Sequence, residues 1–194
     1  MLALGGEPVD LKTVIKRLEV AELRRDALWA LGFAGTIEAA EAALGLIDDE
    51  ELGALAGESF ATITGAPMAG ALIKVGQTDN TSPAEIEEDD DAPPPVVKPE
   101  DDLPAPDGVR VRAWWEKAKA AKAADGTAAL QPGRRYLQGQ PLAVGPLRGA
   151  VEAGPTWRRR VWALELARRT AFDLDAGTWG RTQKQSTAKL DTEG

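Results

Sequence analysis

Leu23-Arg24-Arg25-Asp26-Ala27-Leu28-Trp29-Ala30-Leu31-Gly32 is the stretch on which the fold turns. Leu23, Ala27, Ala30, Leu31 and Ala34 fall at i, i+4, i+7, i+8 and i+11, the spacing of one apolar stripe on an α-helix. Alanines on that stripe let a second helix approach closely. Gly35 supplies a stop, and Thr36 a cap for a following helix that carries Ile37, Ala40, Ala43, Leu44 and Ile47. Asp48 with Glu51 has the spacing of a capping box and predicts a third helix through Leu52, Leu55, Ala56, Ser59, Phe60 and Ile63, closed at Gly65. Upstream, Asp10 predicts a helix bearing Leu11, Val14, Ile15 and Leu18. Trp29 lies off the stripe, so it is either wedged against an adjacent element or offered to a partner.

The pattern recurs. Ala3-Leu4-Gly5, Ala30-Leu31-Gly32 and Ser59-Phe60-Ala61 stand at spacings of 27 and 29 residues, and Leu23 and Ala27 correspond to Leu52 and Ala56. Such a period accommodates two helices of about ten residues with tight turns. The Arg-rich start and Ala-Leu-Gly end resemble the first helix of a HEAT-like repeat, of the short kind found in phycobilisome-lyase-related proteins. The resemblance implies an all-α fold with a HEAT-like α-solenoid over residues 1–75. Leu2 to Gly6 reads as the tail of a helix whose beginning is missing, which predicts a fragment of a longer solenoid or an end covered by a partner.

Charge divides the rest of the chain. Residues 1–76 hold 12 acids and 6 bases, 77–107 hold 11 acids and 1 base, and 108–194 hold 8 acids and 16 bases, so the segments carry −6, −10 and +8 within a total of −8. The middle stretch, with Glu87-Glu88-Asp89-Asp90-Asp91 ahead of three prolines, repels itself and has little to bury. It predicts an acidic Pro-rich linker over 76–107, largely disordered, in which Ser82-Pro83 could start only a short helix. The acid run lacks the alternation and the glycine of a calcium loop.

Beyond the linker, Asp107 caps a segment of high helix propensity with adjacent Trp114 and Trp115, expected to end at Asp125-Gly126 and to anchor a small core. A loop rich in Gly and Pro, Gln131 to Pro141, precedes helices expected over about 143–153 and 156–171. The second helix places Trp157, Val161 and Leu164 along one stripe, with Trp162 and Leu166 broadening it. Residues 108–175 therefore form a helical C-terminal module and 176–194 a flexible tail. The order of parts resembles the C-terminal half of an uncharacterised proteobacterial HEAT-like repeat family, often encoded near type VI secretion effector genes. The features that carry the resemblance are Leu103 to Asp107 before Trp114-Trp115, and the Gly133–Pro141 segment.

The chain contains no cysteine and no histidine. That removes disulfides, thiolate nucleophiles, imidazole bases and the usual zinc ligands. No convergent catalytic set remains, and neither a cofactor nor a metal site is expected. A lyase acting on a bilin-like pigment would lack the Cys and His to handle it. A non-enzymatic scaffold or adaptor for a protein partner is the leading expectation. The resemblance suggests a secretion effector or its chaperone as that partner. Trp29, Arg134, Arg135, Tyr136, Arg158 and Arg159 are the candidate contact residues. The alternative is nucleic-acid binding by the basic module, in which Arg134, Arg135, Arg158, Arg159, Arg160, Arg168 and Arg169 would hold phosphates and Tyr136 and Trp157 would stack bases. Against it, arginines at the starts of such helices face solvent or pair with acids of the next repeat, and the acidic linker competes with a polyanion. Without a basic n-region, a long apolar run near Met1 or a membrane span, a cytoplasmic location is expected.

Overall fold

The computed structural model describes residues 8–74, 101–122 and 129–170. The first repeat copy expected at Ala3-Leu4-Gly5, the acid run, the Ser82-Pro83 start and the tail lie outside the described residues. Within them are seven α-helices: α1 (Pro8–Lys16), α2 (Ala21–Ala34), α3 (Ile37–Leu44), α4 (Gly53–Thr64), α5 (Gly108–Ala120), α6 (Val144–Ala153) and α7 (Thr156–Thr170). A two-stranded antiparallel hairpin, β1 (Tyr136–Leu137) and β2 (Gln140–Pro141), lies between α5 and α6. The described residues are mostly helical, consistent with an all-α fold.

Local chemistry sets most of the boundaries. Helix α2 ends at Gly35 and α4 at Gly65, both left-handed with φ of 73° and 74°. The Thr36 hydroxyl caps α3 by accepting from the Ala39 N–H at 3.2 Å, and Asp107 caps α5 by accepting from the Arg110 N–H at 3.1 Å. Three expected boundaries shift. Helix α5 ends at Ala120, with Ala121 already extended, short of the expected stop at Asp125-Gly126. Helix α3 stops at Leu44, and Ile47 is buried from a turn that follows it. The start of α4 is organised by Asp49, whose carboxylate accepts from the Glu51 and Leu52 N–H groups, while Asp48 turns away to pair with Arg112 at 2.7 Å.

Helices α2 and α4, which carry the corresponding Ala30-Leu31-Gly32 and Ser59-Phe60-Ala61 segments, pack directly on one another. Leu28, Leu31 and Phe60 are fully buried at their contact, whereas Leu23, expected on the stripe, is 40% exposed. The buried face of α2 is therefore wider and rotated toward Leu28 and Phe33.

The distal end of the expected linker is ordered. Ile73 and Pro106 form an antiparallel bridge, flanked by Lys74 N–H donating to Ala105 and Asp107 N–H donating to Leu72. Pro106 is buried against Gly57, where a Cβ would lie 3.2 Å from its ring. This lands α5 on α4, with Trp114 and Trp115 both meeting Phe60 edge-on at 6.0 and 5.3 Å between ring centres. The described residues of 108–170 share their buried core with the N-terminal helices. One continuous hydrophobic cluster runs from Val14 through Phe60 and Trp115 to Leu147 and Leu166.

Candidate functional site

Helix α7 turns inward only part of the face its hydropathy predicts. Trp162, Ala163 and Leu166 are buried, and so are Arg158 and Glu165, while Leu164 is 47% exposed and Trp157 and Val161 are half-buried. The two charged residues decide the orientation, because each finds its counter-charge on the interior side.

Arg158 is fully buried and inserted between α2 and α4. Its Nε donates to Glu58 Oε1 at 2.6 Å, and its Nη2 donates to Glu58 Oε2 and, at 3.1 Å, to the Ser59 hydroxyl. Nη1 reaches the Trp29 carbonyl at 3.2 Å. The guanidinium also lies over the Phe33 ring at 4.7 Å and the Trp29 ring at 5.9 Å. A planar fork with five donors suits this role, since both carboxylate oxygens are met at once. The close approach is possible because residue 32 is glycine: a Cβ there would stand 2.6 Å from Nη1.

Glu165 is 1% exposed and shared by Arg135, Arg168 and Arg169 at 3.2, 3.1 and 2.8 Å. Arg135 also donates from Nε to the Ala34 carbonyl at 2.9 Å and from Nη2 to the Phe33 carbonyl at 2.8 Å, closing the C-terminal end of α2. Burial lowers the pKa of Arg135 and the Glu165 charge opposes that, with Arg169 and Arg168 adding to the lowering. The hairpin continues the same work: Tyr136 N–H donates to Gly35, Gln138 N–H to Thr62, and Gly139 N–H to Ile63. The Gly133–Pro141 segment is thus a clamp across the C-terminal ends of α2 and α4.

Of the candidate contact residues, Arg158 meets Trp29, while Arg135 and Tyr136 hold the C-terminal end of α2; Arg158 and Tyr136 are buried, Trp29 and Arg135 half-buried. Trp29 is half-buried against Phe33, with ring centres 4.7 Å apart. Tyr136 is buried and its hydroxyl accepts from the Gln131 N–H at 2.7 Å. Arg159, half-buried, donates to the Gly154 carbonyl at 2.7 Å. Arg134 is exposed and stands apart from them. Sequence reasoning missed Glu58, Glu165 and Gly32. The available signal was that Glu58 is the single acid of an otherwise apolar α4, and Glu165 the single acid among five arginines in α7.

Beside the Glu58–Arg158 pair lies a cavity of about 370 Å³, lined among others by Glu58, Thr62, Gln138, Pro155 and Trp162. It opens between α4, the tip of the hairpin and the α6–α7 turn. The Thr62 hydroxyl donates to Glu58 Oε1 at 3.1 Å. Among the described residues no group of three or more His, Cys, Asp or Glu side chains is placed to hold a metal ion, and no helix is long and apolar enough to cross a membrane.

Compared with protein-family models, with curated proteins and with solved structures, the chain matches none.

Proposed function

We propose that this protein is a non-enzymatic scaffold or adaptor, built on HEAT-like repeats, whose helical surface binds another protein. The observation that carries this reading is the packing of α2 on α4: segments 29 residues apart in sequence lie side by side, and each helix ends at a left-handed glycine. Neighbouring equivalents of this kind are how stacked repeats bury a shared core. The resemblance of Leu103–Asp107, Trp114-Trp115 and Gly133–Pro141 to the secretion-associated repeat family names the partner, a type VI effector or its chaperone. The fold itself is an analogy here and the warrant for function lies in the surface. The burial of Arg158 and Tyr136 weakens the nucleic-acid alternative, since a buried guanidinium and phenol cannot reach phosphate or base.

Affinity capture from the native host, followed by reconstitution from purified components, tests the reading. A single protein partner that re-forms a stoichiometric complex is expected. Capture of nucleic acid alone, in a salt-dependent manner, would overturn it.

A further inference from the structure

Two carboxylates set inside this molecule each hold a buried or half-buried guanidinium, and they differ in how much of their capacity the chain itself uses. Glu165, 1% exposed, holds three guanidiniums. Glu58 holds one, that of Arg158, and remains 14% exposed along the wall of the cavity beside it. A carboxylate offers about four lone-pair directions. Arg158 uses two and the Thr62 hydroxyl a third.

Beside Glu58, the lining offers further acceptors and apolar walls. Because Thr62 gives its proton to Glu58, what its hydroxyl presents to a ligand is lone pairs. Gln138 brings an amide to the lining, whose carbonyl oxygen can accept. Gly65 and Ala66, also in the lining, mark the C-terminal end of α4, where the helix dipole is negative. Pro155 and Trp162 add flat apolar walls. Among the described residues that line the cavity none is Lys or Arg.

We propose that this cavity receives an arginine side chain from a bound partner, its guanidinium sharing Glu58 with Arg158. A planar, donor-only cation matches acceptors beside an aromatic wall, and a guanidinium sheds water more readily than an ammonium. The Glu165 cluster shows the required chemistry within the same molecule, one buried carboxylate serving several guanidiniums. An anion meets Glu58 and is excluded. As to where the arginine comes from, the proposal rests on the adaptor reading and deepens it; the site itself stands on its own geometry.

The test titrates N-acetyl-L-arginine amide into the ¹⁵N-labelled full chain, following the amides of Thr62 and Gln138 and the Trp162 indole. Free L-arginine, N-acetyl-L-lysine amide and the neutral isostere N-acetyl-L-citrulline amide are run beside it. Saturable shifts in the millimolar range or tighter are expected for the arginine amide, with citrulline about tenfold weaker or more, as a lost charge-assisted hydrogen bond implies. Ala61→Leu, which narrows the cavity, and Thr62→Val, which removes an acceptor, are each expected to weaken binding severalfold in a natively folded chain. Equal binding of citrulline, wild-type titration of both variants, or no shift with the arginine amide overturns the site. Tighter binding of free L-arginine than of its amide overturns the assignment to a partner's side chain. Arginine binding with no protein captured from the host keeps the site and removes the adaptor reading; a captured partner with no arginine binding removes the site alone.

Discussion

Gly32 decides whether Arg158 can be buried at all. Replacing it with alanine gains about 1 kcal/mol of helix propensity. Against that, the new Cβ falls within 3 Å of three guanidinium atoms that are tied to Glu58, Ser59 and Trp29. Displacing a buried, hydrogen-bonded ion costs about 3–5 kcal/mol, so the clash wins. Gly32→Ala is expected to destabilise the fold by about 2 kcal/mol or more, read as a lower urea midpoint at unchanged slope. Removing the charge directly gives a second expectation. Arg158→Met leaves Glu58 uncompensated and should cost about 3–5 kcal/mol, and adding Glu58→Gln to it should recover part of that loss. A double variant no more stable than Arg158→Met would show that the arginine acts by filling space.

At the scale of elements, the hairpin clamp is the part with the most consequence per residue. Its two-residue turn, Gln138-Gly139, has φ of 52° and 75°, the type I′ geometry that favours Asn-Gly. Gln138→Asn eases the left-handed position without the backbone entropy cost of glycine, and is expected to raise stability by about 0.5 kcal/mol, measured as a higher melting temperature. The sequence makes the helix ends legible because each is a local interaction: Gly35, Gly65, Thr36 and Asp107 act within a few residues of themselves. The intervals 143–153 and 156–171 likewise anticipate α6 and α7 to within a residue. The clamp is not legible. Its strands are two residues long, too short for a hydropathy pattern, and the Arg135 bonds to α2 span 101 and 102 positions. The inward face of α7 is hidden for the same reason, since burying Arg158 and Glu165 makes sense only once Glu58 and Arg135 are placed opposite them.

Across the whole molecule, the division by charge into −6, −10 and +8 segments follows composition and not the core. With no histidine or cysteine, the chain has no side chain that ordinarily titrates near neutrality, so its melting temperature is expected to be flat between about pH 6 and 9. Lys119 has its pKa raised by its hydrogen bond to Glu116, with Glu41 assisting against desolvation. The sign follows: that contribution is complete below its ordinary value of 10.5 and is lost only as the pH climbs through the raised one. The segments must then fold together. The basic third supplies Trp115 and Trp114 to Phe60, Arg158 to Glu58, and Arg135 to the end of α2. Removing one large buried aromatic already costs about 3–5 kcal/mol, a large share of the 5–15 kcal/mol that holds a typical domain. Losing all of these contacts together exceeds what helices α1–α4 can supply alone. A chain ending at Asp107 is therefore expected to show no cooperative thermal transition by circular dichroism, while the full chain melts in one step. Adding the 108–194 fragment in trans should restore part of that transition. A sharp melt from the 1–107 fragment by itself would mean that the −6 segment is a self-sufficient repeat unit and that the arginines crossing into it only fasten a finished structure.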